Sequence, residues 1–323
     1  MSIKISIVVK EENGEDRRHW PLTRGVPLPK GRLKKVSSLG VRDARRIPVF
    51  AQFRVLSLWP DDSIKWVLVD FRADVDAHST AVFTVHDDQS TQETSPPSTI
   101  RVAHSDDRID VDTGPLSFSV NRTTYGFLDK VILNAVAGSS ASQVVYDARE
   151  HGRQGDAWIR INEGHSDGGT KRRIYGMGGV CRASLAPDAY SVKVEESGPM
   201  RVVLRCDAPC EADIPMHHYS GYRPFHLATR IYAYAGQRYL RVLHTVVVAC
   251  NPRETKIDEI ALKLPCHLSG SIRYTASTDL VGDGILGSDD VVALSQESHD
   301  QCSLSIGQPN QVDHIETGAL NEG

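Results

Sequence analysis

Two nearby stretches, Arg24–Leu33 (RGVPLPKGRL) and Ile47–Arg72 (IPVFAQFRVLSLWPDDSIKWVLVDFR), decide how the chain is read. In the first, Pro27, Pro29 and Gly31 stand at alternate positions. Two prolines with fixed φ and no amide proton exclude a helix, so the segment is extended and rich in turns. In the second, Ile47, Val49, Ala51, Phe53 and Val55 alternate with Pro48, Phe50, Gln52, Arg54 and Leu56. That period of two marks a half-buried strand with some spill onto its second face. Trp59-Pro60-Asp61-Asp62-Ser63 then predicts a turn, since proline pre-sets φ and an aspartate side chain can bond the backbone two residues on. Ile64 to Phe71 is rich in β-branched and aromatic residues and predicts the second arm of a hairpin.

Working outward, Ile3, Ile5, Ile7 and Val9 alternate with Lys4, Ser6, Val8 and Lys10, and residues 79–86 (STAVFTVH) alternate again. Glu11 to Asp16 is a polar turn, and Arg17 to Pro21 leads into the proline-rich segment. Several short strands separated by turns predict a small β-barrel or sandwich over residues 1–87. Residues 88–98 are polar, end near Pro96-Pro97 and show no apolar period, so a linker is expected there. Strands resume at TIRVAH (99–104), RIDVDTG (108–114), PLSFSVN (115–121), Phe127–Ala135 and AWIRIN (157–162). Residues 136–156 are weakly patterned. Residues 163–179, with six glycines, read as a long loop or hairpin tip. Tyr190–Pro199 and Arg201–Cys206 read as partners, as do residues 226–234 and 238–250, whose arms are long for a globular strand. Ile260 to Leu264 adds a strand. No window carries a capped amphipathic helix. The expected fold is therefore all-β: a small N-terminal β-barrel, a linker, and a large antiparallel β-sandwich over residues 99–323. The C-terminus has no obvious stop and is expected to be a truncation.

Composition narrows the function classes. The 323 residues carry a formal net charge of −4, with 40% hydrophobic and 24% charged residues, as in an ordinary globular protein of about two domains. No basic footprint points to nucleic acid, and no run of 18 apolar residues points to a membrane span. The N-terminus lacks a leader pattern, so a cytoplasmic location is expected. Six cysteines, all beyond residue 180, are expected as free and mostly buried thiols. Cys206 and Cys210 lack two further ligands at zinc-like spacing, and Asp283, Asp289 and Asp290 do not match a calcium loop. No metal site and no cofactor are expected, a divalent cation such as calcium being the one opening left.

The composite pattern of Gly25, Pro27, Pro29, Gly31, Pro48, Gln52, Trp59, Pro60, Asp61, Ser63, Lys65 and Trp66 resembles the N-terminal barrel of exo-rhamnogalacturonan lyases (polysaccharide lyase family 26) and related bacterial proteins. DTGPLSFSVN (112–121), VEESGPMRVVL (194–204) and TRIYAYAGQRYLRVLHT (229–245) resemble the central β-sandwich of the same family. The resemblance covers roughly residues 24–265. It implies β-elimination on a pectin backbone, with an acidic oligo- or polysaccharide as partner. It also implies a helical toroid domain after the sandwich, to which nothing in this chain corresponds. The barrel pattern itself is expected to build a turn and a core rather than to catalyse.

A uronate lyase needs a base, a group that neutralises the carboxylate, and an acid for the leaving oxygen. The densest set of such residues is the loop MHHYSGYRPFH (216–226), so His217, His218, Tyr219, Tyr222 and Arg223 are the catalytic candidates. Lys171, Arg172, Arg173 and Tyr175 in the glycine-rich stretch, with His226, are the candidates for holding an acidic saccharide. His244, mid-strand, reads as a core histidine. Trp59 and Trp66 read as packing residues. No GxSxG, P-loop, GxGxxG or HExxH pattern occurs. Two functions remain open: the β-domains of a lyase-like protein, inactive alone if catalysis needs the helical domain, or a non-catalytic carbohydrate-binding or scaffolding unit. A structural fragment with no ligand is a third, weaker reading.

Overall fold

The computed structural model describes residues 2–88, 100–135, 141–149, 154–166, 173–213, 223–253, 255–264, 271–277, 281–287, 291–296, 301–308 and 311–319. It forms two compact units, Met1–Pro265 and Cys266–Gly323. The first unit begins with β1 (Lys4–Lys10), β2 (Arg17–Pro27), β3 (Gly40–Arg42), β4 (Pro48–Val49), β5 (Ala51–Leu58), β6 (Ile64–Val75) and β7 (Thr80–His86). They pair as a four-stranded sheet, β1-β7-β3-β4, and a three-stranded sheet, β2-β6-β5. Val26, Ile64, Val67, Val69, Phe71 and Val85 fill the space between them, with the Phe71 and Phe83 rings 4.9 Å apart. The predicted hairpin is β5–β6.

The barrel pattern proves to be a stitched turn. Trp59 N donates to Ser63 O at 2.7 Å and Asp62 N to Trp59 O at 3.0 Å. The buried Ser63 hydroxyl donates to Asp61 Oδ1 at 2.6 Å and accepts from Gly31 N at 2.8 Å. Leu28 N and Ile64 N bond Lys65 O and Leu33 O, and Trp59 Nε1 donates to Leu28 O. Gly31 has φ +74, a conformation that glycine adopts without the steric cost of a Cβ. The motif therefore satisfies backbone groups at a tight corner.

One strand was not legible: β2 runs from Arg17 and includes Pro21 and Pro27. It pairs on one side only, with β6, and an edge strand tolerates missing amide protons.

The sandwich follows. One sheet is β8 (Arg101–His104), β9 (Arg108–Asp112), β10 (Leu116–Asn121), β11 (Lys130–Leu133) and β12 (Gln143–Asp147), in the order β12-β11-β10-β9-β8. The other contains β13 (Asp156–Ser166), β14 (Arg173–Arg182), β15 (Ser191–Ser197), β16 (Arg201–Asp213), β17 (Phe225–Tyr234), β18 (Leu240–Val248) and β19 (Thr255–Lys263). Its order is β18-β17-β16-β14-β13-β19, with β15 also on β16. Ile109, Val111, Phe118 and Val120 of the first sheet share a core with Ile159, Leu204, Leu227 and Ile231 of the second. Cys181, Cys206 and Cys210 are buried in that core outside any disulfide, and Cys250 is half-buried.

Of the two readings of the glycine-rich stretch, a long loop or a hairpin tip, the pairing favours the hairpin: residues 163–166 and 173–179 lie in facing strands, with Gly164 opposite Tyr175 and Ser166 opposite Arg173. Only the 167–172 tip falls outside the described residues. β12 lies in the segment that showed no pattern. The expected strand at Phe127–Ala135 shrinks to Lys130–Leu133, because Phe127 sits at φ +64 and interrupts an extended backbone. Most of the expected linker also lies outside the described residues.

The second unit holds β20 (Ile272–Ser277) paired with β21 (Val281–Leu286), and β22 (Val291–Gln296), β23 (Gln301–Gln308) and β24 (Gln311–Ala319) in one three-stranded sheet. No described helix is long and apolar enough to cross a membrane.

Candidate functional site

Strand alternation builds the site. On β16, Val202, Leu204, Cys206, Ala208 and Cys210 point into the core, which leaves Arg201, Arg205, Asp207 and Pro209 on the opposite face. On β17 the same rule turns His226, Arg230, Tyr232 and Tyr234 to that face. Register sets Arg205 opposite Arg230, and Tyr232 opposite Arg241 on β18. A register shift between Val194 and Glu196 on β15 lets adjacent Glu195 and Glu196 line the same cleft, as a β-bulge does.

Where this face meets the barrel, the cleft measures about 570 Å³, within the range of small-molecule sites. Thr23, Arg54 and Leu68 line it from the barrel; Glu195, Glu196, Arg201, Arg230, Tyr232, Tyr234 and Arg241 line it from the sandwich. Its floor is a buried ionic trio. Arg201 Nη1 lies 2.8 Å from Asp70 Oδ1 and donates to Thr23 Oγ1 at 2.7 Å. Its Nη2 reaches Glu196 at 2.7 and 2.9 Å. The side chains of Arg201, Asp70 and Glu196 are 5%, 5% and 8% exposed. Burial pushes the Asp70 carboxyl above its ordinary value, although Thr23 and Arg201 pull the other way. Gln52 of the barrel donates to Glu196 and accepts from Met200 N. Its side chain sits where a Cβ on Gly198 would fall, 2.1 Å from its nearest atom, so a larger residue there would displace the Gln52 amide from Glu196 and Met200.

Farther along the face, Arg230 grips Glu195 in a fork at 2.6 and 3.0 Å. Arg205 reaches Asp207 at 2.8 Å and Glu195 at 3.5 Å, and His226 Nε2 lies 3.3 Å from Asp207 Oδ1. The Arg230 hydrogen bond holds Glu195 below the ordinary glutamate value of 4.5. Burial opposes ionisation of Asp207, but the bonds from Arg205 and His226 outweigh it and lower its pKa from 3.8. Groups with depressed folded pKa values stabilise the fold above their unfolded values and lose that contribution as pH falls through the folded ones. Asp70, raised, runs the other way: its contribution is present at low pH and fades as pH rises through its folded value. Stability is therefore expected to fall as pH drops from about 5 to about 3. Glu195→Gln flattens that fall when urea midpoints are compared across the range. An unchanged slope would remove Glu195 from the linkage.

The residues singled out from sequence divide. Arg223 is described, and its guanidinium is shared by Glu211 at 3.1 Å and Asp188 at 2.7 Å, so its Nε and Nη2 already face carboxylates. His226 stands on the charged face as just given. Arg173 and Tyr175 are strand residues of β14, not loop residues. His217, His218, Tyr219, Tyr222, Lys171 and Arg172 lie outside the described residues, as do Asp289 and Asp290, while Asp283 is in β21. Among the described residues no group of three His, Cys, Asp or Glu side chains is placed to hold a metal. His244 points inward; its Nδ1 lies 2.7 Å from Thr229 Oγ1 and burial lowers its pKa.

Sequence reading missed Arg54, Asp70, Glu195, Glu196, Arg201, Arg230 and Arg241. Their signals were an acid inside an otherwise apolar strand (Asp70) and cationic and aromatic residues at every second position of the long hairpin.

A small β-barrel running into a two-sheet sandwich is the β-domain architecture of a rhamnogalacturonan lyase-like protein. Residues 9–86 match the PcRGLX-like N-terminal RIFT barrel domain, and residues 100–278 match the PcRGLX-like protein central beta sandwich domain. The chain belongs to this PcRGLX-like family. It is also similar to an uncharacterized protein, YetA, of Bacillus subtilis (strain 168), at 23% identity over 262 residues, covering 81% of this chain and 27% of the relative. The chain thus spans about a quarter of that relative's length.

Proposed function

We propose that this chain is the saccharide-contacting β-portion of a lyase-like protein that acts on rhamnogalacturonan by β-elimination. The observation that carries this reading is the cleft between barrel and sandwich. Four guanidiniums line it against two glutamates, and tyrosines lie among them. Arginine takes a carboxylate in a planar fork, and an aromatic face packs on the apolar face of a sugar. β-Elimination starts with loss of the proton alpha to a carboxylate, which is easier when a cation neutralises that carboxylate. On the same face His226, oriented by Asp207, is the described group suited to accept a proton.

The second reading, a non-catalytic carbohydrate-binding unit, is favoured by the engagement of Arg223 and Arg230 with protein carboxylates. One experiment separates the two. The chain is mixed with rhamnogalacturonan oligosaccharides, ultraviolet absorbance is followed for an unsaturated uronate, and binding is measured by calorimetry. Product that disappears in His226→Ala supports elimination on this face. Binding without product supports the second reading. Neither binding nor product sinks both.

A further inference from the structure

One edge of the seven-stranded sheet is left open. β18 pairs with β17 on one side, and among the described residues no strand pairs with its other side. A free edge is a row of unpaired backbone groups that recruits another strand unless something blunts it. Other edges of the first unit are blunted. β1 has a lysine at each end, and β2 contains Pro21 and Pro27. β4 is two residues long and β8 four. β5 is broken by two register shifts. β19 carries Lys256, Asp258, Glu259 and Lys263. β18 has none of these devices: it runs nine residues in unbroken register, with one formal charge, Arg241. Its Leu243, Val247 and Val248 are 46%, 48% and 50% exposed.

We propose that β18 pairs with β18 of a second copy of this chain, antiparallel, about a two-fold axis through Thr245 and perpendicular to the sheet. The strand is its own complement in that register. Leu243 falls opposite Val247 on one face and Val242 opposite Val248 on the other, each pair occurring twice, and such cross-strand apolar pairs stabilise a ladder. Moving the axis to residue 244 sets His244 against His244, and moving it to residue 246 sets Leu243 against Ala249. Charge does not oppose the pairing either. Arg241 lies opposite Ala249, and the two Arg241 side chains stand ~27 Å apart at ~3.4 Å per residue, beyond a Debye length of ~8 Å. The interface is isologous, so it closes at two copies and joins two seven-stranded sheets into one. A nine-residue ladder is small beside a standard interface of ~1,600 Å², so the dimer is weak, with a Kd of roughly 10–100 µM.

The test is sedimentation equilibrium of the full chain over a range of concentrations. The expected mass rises from 35.6 kDa towards twice that value. Thr245→Lys places two like charges face to face on the axis and should weaken association by about tenfold or more. Thr245 is exposed, so the variant keeps its fold, and circular dichroism checks it. A second variant, Thr245→Cys, tests the register itself. Its two thiols would face each other with Cβ atoms ~4.5–5.5 Å apart, close enough to join as a disulfide, with oxidised glutathione taking up the two electrons and two protons. Thr245→Cys should cross-link to a dimer, whereas wild type and Ile260→Cys, an exposed position on β19, should not. A wild type that stays monomeric up to ~1 mM, well above the expected Kd, would overturn the proposal and leave the edge to a strand of some other chain. Association that Thr245→Lys leaves unchanged, or that Thr245→Cys fails to trap, would overturn it too.

Discussion

Arg201→Met is expected to lower the unfolding free energy by about 3–5 kcal/mol, the cost of removing one partner from a buried ion pair. The loss comes from what is left behind. Asp70 and Glu196 stay inside the junction with almost no access to water and without the cation that lay between them, while the half-exposed Arg54, 3.4 Å from Glu196, answers them poorly. The methylene stem of methionine restores packing against Tyr232, whose ring centroid lies 6.0 Å from the guanidinium, but not charge. Arg201→Lys should recover little, because a point charge cannot serve two carboxylates and the Thr23 hydroxyl in one plane. Combining Arg201→Met with Asp70→Leu and Glu196→Gln should recover most of the loss, since an apolar replacement of a whole buried network is often neutral. Urea unfolding of wild type and the three variants reads this directly. An Arg201→Met cost below about 1 kcal/mol, the scale of an exposed ion pair, would mean that water reaches the trio.

The second large effect is expected at Phe71→Ala, about 3–5 kcal/mol for a fully buried aromatic removed from a close-packed core. Phe71 is inaccessible, lies on the central strand β6 and packs on Phe83. Leu58→Ala on the neighbouring β5, where the side chain is exposed, should change stability by no more than about 0.5 kcal/mol. Equal costs at the two positions would refute the assignment of the barrel core.

Much of the fold was legible because strands write their facing into every second residue. The hairpin about WPDDS and the long β17–β18 hairpin follow from that period, as do β1, β7 and β13. The losses have particular causes. β2 was hidden by its prolines, which an edge position permits. β12, five residues long, is too short for its alternation to stand out. The glycines of 163–179 left a long loop open beside a hairpin tip, yet Gly164 and Gly178 pair across β13 and β14 and Gly176 sits at their register shift. The site was far less legible. Residue density singles out the 216–226 loop, most of which lies outside the described residues. The cleft joins Thr23 to Arg201 and Gln52 to Glu196, pairs 178 and 144 positions apart. No local window contains such a pairing; it exists only once sheet registers are fixed. Asp70 was a local hint, because a carboxylate in the run VLVDF has no place in a core unless something distant answers it.

The seam between barrel and sandwich bears on how the chain tolerates being cut. Arg201 holds Asp70 and Thr23 across it, Arg72 donates to the Ala235 carbonyl, and Gln237 donates to His19 O. None of these bonds depends on the covalent connection, so a polypeptide severed between residues 88 and 98 is expected to behave as two complementing fragments. Moved alone onto a foreign neighbour, the barrel would arrive with Asp70 unanswered, whereas the sandwich keeps Glu196 for its Arg201.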